Sequence, residues 1–184
     1  RLHALKNDAY AGIVARGAIA LRPGVEAVLD AAGARGLRLA VVTTTSAVNV
    51  QALLAAQLGS RWRARFALVV AGEDVEHKKP HPEAYLRALA ALRLPARATL
   101  ALEDSPGGAA AAREAQVPCV VTRSAYFAAD PIDAAVAIGP GLHTRAGWRP
   151  ALRDRDTTDG PDRPVSLDDL VEWHRRMEHV ACVP

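Results

Sequence analysis

The chain has 184 residues, half of them apolar but only 4% aromatic, and a net charge of +3. That is enough for one domain with a core of Ala, Leu and Val, and the mild positive charge, dispersed rather than gathered on one stripe, suits a small anionic substrate at least as well as nucleic acid, so no nucleic-acid partner is expected. No apolar run approaches the ~20 residues of a bilayer span, no signal peptide is recognised, and Cys119 and Cys182 form no CxxC or Cys/His framework, so a soluble, cytoplasmic protein without a disulfide or zinc scaffold is expected.

Strand and helix signals alternate along the chain. Leu2, Leu5, Ala9 and Ile13 recur at helical spacing in residues 1–20 with no N-cap before them, so the chain opens inside a helix. Arg22-Pro23-Gly24 breaks it, and Val25, Val28, Leu29 and Ala32 mark the inner face of the next helix, ended by Gly33 and Gly36. Leu37 to Val42 is a short run, apolar but for Arg38, that fits a strand covered on both faces. A helix over 48–58, a strand from Phe66 to Val70, a helix over 82–92 (Tyr85, Leu86, Leu89), a strand from Thr99 to Leu102, a small-residue helix over 106–116 and a strand from Val117 to Thr122 follow. Such alternation predicts an α/β fold: a parallel sheet with helices on both faces.

In sheets of this kind ligands bind beyond the carboxyl ends of the strands. Three polar elements fall there: Thr43-Thr44-Thr45-Ser46 after the first strand, Lys78-Lys79-Pro80 in the loop after the second, and Glu103-Asp104-Ser105 after the third. Each has a plain structural alternative. The Thr/Ser run and Asp104-Ser105 could cap the helices that follow, and the lysines could be solvated loop charges. The three together, in this order, read as an anion donor, a fixed cation and a magnesium-ligating acid pair.

This order of Thr43, Lys79-Pro80 and Glu103-Asp104-Ser105 resembles motifs of the haloacid dehalogenase superfamily of phosphatases and phosphomutases, over roughly residues 1–130. Arg22-Pro23-Gly24, Thr43 to Ser46 with Asn49, Lys78-Lys79-Pro80 with Pro82 and Tyr85, and Ser124-Ala125-Tyr126 resemble its CbbY-type sugar-bisphosphate phosphatases and their β-phosphoglucomutase-like subfamily. The resemblance implies a three-layer Rossmannoid hydrolase core over residues 21–142, preceded at 1–20 by the last helix of a cap domain otherwise absent. It implies a magnesium-dependent phosphoric monoester hydrolase acting on a phosphorylated sugar or sugar bisphosphate such as xylulose 1,5-bisphosphate, or on phosphoglycolate. Thr43 would bind a phosphoryl oxygen with the Thr44 N–H, and Lys79 would neutralise charge. Asp104 would hold Mg2+, and Glu103 would orient a metal-bound water or hold Lys79. Thr45, Ser46 and Asn49 would line the phosphate or sugar end, or cap the helix.

The family's nucleophile and acid/base partner are aspartates of a DxDGT segment upstream of Thr43. Here only Asp8 and Asp30 lie upstream, both on predicted helices, and neither is followed by a second aspartate two residues on. The expectation is therefore a partial chain whose nucleophile strand is missing. Such a chain would leave unpaired sheet edges and fold poorly alone. Asp154-Arg155-Asp156-Thr157-Thr158 has the DxDxT spacing, but polar Arg149-Pro150-Ala151-Leu152-Arg153 precedes it where a buried strand is needed. A non-catalytic phosphate-binding pseudoenzyme of the same fold is the main rival. A nucleotide-binding Rossmann module is disfavoured because no GxGxxG follows a strand.

Residues 143–164, rich in Arg, Asp, Gly and Pro, read as a flexible linker, and 165–184 as an amphipathic helix docking on the core or on a second subunit. Ser166 and Asp169 form a capping box, Leu167, Leu170, Val171, His174 and Met177 share one face, and Trp173 packs beside it. His174 and His179 lack metal-ligand spacing. His77 and His81 flank the lysine loop as solvated histidines or substrate contacts.

Overall fold

The computed structural model describes residues 10, 12–14, 19–133, 135–150 and 163–180, with side chains through residue 176. In chain order it comprises α1 (Val25–Ala34), β1 (Ala40–Val42), α2 (Ala47–Leu58), β2 (Leu68–Val70), α3 (Glu83–Leu92), β3 (Ala101–Glu103), α4 (Pro106–Glu114), β4 (Cys119–Thr122), β5 (Ala137–Gly139) and α5 (Leu167–Val180). The strands pair in parallel, as the alternation predicts, but in two sheets. β1 pairs with β2, Val41 opposite Val69, and β4 sits between β3 and β5, with Leu102 opposite Val120 and Val121 opposite Ile138.

The edges that matter for the site are those of β1 and β3. The Thr43 N–H donates to the Val70 carbonyl at 2.9 Å and the Ala67 N–H to the Leu39 carbonyl at 2.8 Å. Backbone groups alternate sides along a strand, so those of Ala40 and Val42 face away from β2. On β3 the Ala101 N–H donates to the Pro118 carbonyl at 2.8 Å, so Leu100 and Leu102 turn their backbone groups away from β4. Among the described residues no strand pairs with either edge.

The period-2 alternation of side chains builds the layers. Val120 enters a cluster with Val28 and Ala32 of α1 and Leu170 and Trp173 of α5, while its neighbours Cys119 and Val121 face Tyr85 and the alanines of α4. β1 divides similarly, Val41 packing toward Val50, Trp62 and Phe66 and Val42 toward Val70 and Ala84. Small residues let α4 lie close to the sheet, with Ala111 and Ala112 fully buried.

Several expectations shift. The first strand begins at Ala40, because only there does β2 run alongside; Leu37 is exposed. β5 is an addition, too short for periodicity to reveal. Residues 143–150, read as the start of a linker, are packed: Trp148 is buried, its indole N–H donates to the Thr144 carbonyl at 2.9 Å, and Arg149 bridges antiparallel to Ile138. The capping box at α5 forms reciprocally: the Asp169 N–H donates to Ser166 Oγ at 3.3 Å and the Ser166 N–H to Asp169 Oδ2 at 2.8 Å. Its inner face centres on Leu167, Leu170 and fully buried Trp173, which stacks on Trp148 at 4.5 Å between centroids, while Val171 and His174 lie at its margin. The helix docks on the core of its own chain, and Arg35, at the C-cap of α1, bonds Asp168 bidentately at 2.7 and 2.9 Å. Residues 1–9, Asp154 to Thr158 and Cys182 lie outside the described residues.

Candidate active site

The carboxyl ends of β1 and β3 are joined by one ammonium group. Lys79, in the loop between β2 and α3, donates to the Val42 carbonyl at 2.9 Å and pairs with Glu103 at the end of β3. That carbonyl belongs to the open edge of β1, so the lysine spans the mouth of the gap between the two sheets. The Lys79 and Glu103 side chains are only 11% and 8% exposed. The Tyr85 phenol of α3 also donates to Glu103 Oε1, and its ring centroid stands 4.8 Å from Lys79 Nζ. Burial pushes the Tyr85 phenol well above its ordinary range, reinforced by the nearby Glu103 carboxylate, so it stays a donor.

The bulk of α4 would displace this carboxylate were residue 108 not glycine: a Cβ there would collide with the Glu103 oxygens. Ser105 caps α4, its Oγ accepting the Gly108 N–H at 3.1 Å. Asp104 is therefore not the cap; it stands exposed on the rim beside the Lys79–Glu103 pair, with no side-chain bond among the described residues. A hard, exposed carboxylate suits magnesium, which retains several waters and asks few protein ligands.

After β1 the chain turns tightly. Thr43 Oγ1 accepts the Thr45 N–H at 3.1 Å, and the Thr45 carbonyl accepts the Gly72 N–H at 2.8 Å. Gly72 approaches so closely that a Cβ would strike the Thr44 carbonyl. Ser46 occupies the N-cap position of α2 but its side chain makes no capping bond, and its Oγ is buried with no partner among the described residues. Asn49 is buried one turn into α2, and Thr45 is exposed at the rim. Capping therefore does not explain Ser46. The structure brings Thr43, Lys79 and Glu103-Asp104 to one rim; Lys78 points to solvent.

Three contributors were not singled out as site residues. Tyr85 showed only as an inner-face position and a mark of resemblance. Glu73 supplies the bond at the start of α2, its carboxylate accepting the Ala47 N–H at 2.9 Å, as suits a helix N-terminus. Arg22 forks across the ends of β4 and β5, donating to the Thr122 carbonyl (2.7 Å) and Oγ1 (2.8 Å) and to the Arg123 (2.8 Å) and Pro140 (2.9 Å) carbonyls. These partners lie about a hundred residues away in sequence, beyond any local pattern.

A haloacid dehalogenase-like hydrolase family model matches residues 1–116. The chain belongs to that family. It is 43% identical over 173 residues to the plasmid-encoded protein CbbY of Cupriavidus necator, covering 94% of this chain and 66% of the relative. It is 46% identical over 134 residues to protein CbbY of Rhodobacter capsulatus, covering 73% and 59%. Among solved structures, CbbY from Rhodobacter sphaeroides in complex with phosphate superposes with a TM-score of 0.70 at 40% identity, covering 72% of this chain and 59% of that one. A variant of the same protein, with the same figures, was solved in complex with xylulose-(1,5)bisphosphate. The CbbY-type resemblance thus agrees with sequence and fold alike. The chain spans between about half and two thirds of the length of these relatives.

Proposed function

We propose that the chain supplies most of a magnesium-dependent phosphatase acting on a phosphorylated sugar or sugar bisphosphate such as xylulose 1,5-bisphosphate. In this reading the phosphoryl group passes to an aspartate on a strand outside these 184 residues and then to water. The observation that carries it is Lys79 spanning the ends of two parallel strands whose facing edges are unpaired. A strand lying between them would end beside that ammonium, where a nucleophilic carboxylate would meet the charge it needs.

Donor arithmetic supports the roles. An ammonium has three protons; Val42 and Glu103 take two of Lys79's, leaving one for a phosphoryl oxygen. Thr43 Oγ1 already accepts the Thr45 N–H, so its own O–H is left to donate outward. Buried Ser46 Oγ offers a further polar contact at the same end. Of the two roles open to Glu103, holding Lys79 is the one its Lys79 and Tyr85 bonds favour, and Asp104 is left as the principal metal ligand. Magnesium, when bound there, would offset charge on the transferring oxygens. Fixed donors of this kind stabilise the spread charge of phosphoryl transfer without reorganising.

The test fuses the upstream part of the Cupriavidus relative, which this chain does not span, to residues 1–184. Phosphate release from xylulose bisphosphate and from an aryl phosphate is then followed with magnesium present or chelated. The fusion should turn over only with magnesium and lose about a hundred- to a thousandfold in Asp104→Asn, on the scale of losing a group that meets transition-state charge; the 184-residue chain alone should be silent. A folded, inactive fusion would point to the pseudoenzyme reading, and turnover by the chain alone would place the nucleophile within it, with Asp154 first to be tested.

A further inference from the structure

The loop that carries Lys79 inward carries a second constellation outward. His77 and His81 flank Lys78-Lys79-Pro80, their rings 4.6 Å apart between centroids and both exposed. Glu83, the first residue of α3, closes the group. Its Oε2 lies 2.9 Å from His77 Nδ1, and its own N–H reaches His81 Nδ1 at 3.3 Å. One donor atom from each of the three side chains can be chosen so that all lie within 4.8 Å of one another.

The carboxylate is held for this geometry. The Glu76 N–H donates to Glu83 Oε1 and the His77 N–H to Oε2, both at 2.8 Å. Two backbone donors fix the carboxylate in place and favour its charged form. A carboxylate has about four acceptor positions; two backbone bonds and the His77 contact use three. The long Glu83 N–H contact is a weak tether that the exposed His81 ring can exchange for a stronger partner. Three ligands on one tetrahedral ion stand roughly 3.3–3.5 Å apart for bonds of about 2.0–2.1 Å, a distance that rotation of two exposed rings reaches.

We propose that His77, His81 and Glu83 form a divalent transition-metal site of the zinc class that clips together the two flanks of the Lys79 loop. Two imidazoles and one carboxylate suit zinc, cobalt or nickel and are poorly matched to magnesium, which seeks oxygen alone. The site is separate from the rim where Asp104 stands, and it does not rest on the phosphatase reading. Binding replaces the His77–Glu83 hydrogen bond by bonds to the metal: the neutral ring offers the lone pair of one nitrogen and keeps its single proton on the other, with no change of oxidation state. The fourth position remains for water.

Tag-free chain, verified as folded by circular dichroism, is titrated with Zn2+ in a calorimeter at neutral pH, and with Co2+ while the visible d–d bands are recorded. One saturable equivalent is expected. His77→Ala and His81→Ala should each weaken it by at least about tenfold, since the loss of even an outer partner of a metal ligand costs that much, and should abolish the cobalt bands; His143→Ala should bind as the parent does. Both loop histidines are exposed, so these variants keep the fold. As a second readout, zinc should slow tryptic cleavage after Lys78 in the parent and not in His81→Ala. Absence of saturable binding, or parental binding in either loop variant, overturns the site.

Discussion

The two sheets on either side of the gap are built to different standards. β4 has a partner on each edge and a core on each face, and the tail helix seals that half with the Trp148–Trp173 stack. β1 has one partner, and all three of its residues are only partly buried. The candidate site residues gather at the poorer half and at the seam: Thr43 and Ser46 follow β1, and Lys79 bridges to β3. The contrast separates a β3–β4–β5 core packed on both faces from a seam where the candidate site residues lie beside two edges left unpaired among the described residues.

The sharpest way to break the contrast is at Trp173. Trp173→Ala removes a fully buried indole from the half packed on both faces and should cost about 3–5 kcal/mol in a denaturant titration. A loss below about 1 kcal/mol would show that the tail does not seal the core. At the seam, Lys79→Ala leaves Glu103 buried without its cation; about 3 kcal/mol is expected, the low end for a broken buried pair because Tyr85 remains a donor. Lys79→Met, which keeps the stem, should lose nearly as much, and recovery of full stability by it would mean packing rather than charge is at stake.

Native-state hydrogen exchange sharpens the comparison directly. Amides of Val120 and Val121 should exchange about tenfold or more slowly than those of Val41 and Val42, a gap of roughly 1.4 kcal/mol. In the fusion carrying the upstream segment, protection should rise along β1 and β3 and stay level along β4. Unchanged β1 amides would mean nothing enters the gap. The smallest effect concerns Asp169. Burial opposes its ionisation, but bonds from Arg163 and Ser166 outweigh that and hold its carboxyl below the usual value. A depressed folded value stabilises above the unfolded value of about 3.9, and the gain is lost as pH falls through the folded one. Asp169→Asn should therefore cost about 1 kcal/mol near neutrality, the scale of a lost cap, with the difference from the parent shrinking below about pH 4.

Much of this was readable from residue order. The helices around Val25 to Ala34 and Glu83 to Leu92 follow from apolar spacing, and Thr43, Lys79 and Asp104 from their places after apolar runs, because strand ends in parallel sheets face ligands. What stayed hidden depends on distant partners. Ala137-Ile138-Gly139 becomes a strand only because β4 lies beside it, and the Arg22 fork is drawn by carbonyls far along the chain. In the tail, spacing set Val171 and His174 on the inner face, whereas the socket made by Trp148 selects Trp173. Tyr85 was visible as an apolar-face aromatic, but no spacing rule reports that its hydroxyl meets a carboxylate on another element.

Cys119 begins β4, buried among Tyr85, Val117 and the alanines of α4, its thiol donating weakly to the Val120 carbonyl at 3.8 Å. Burial, with the Glu103 carboxylate nearby, pushes that thiol up to about 12, so thiolate is scarce and no alkylating reagent or oxidant reaches it while the layers are closed. The residue is thereby a silent clock: in a Cys182→Ser background, its rate of covalent labelling counts openings of the central layer, one molecule at a time.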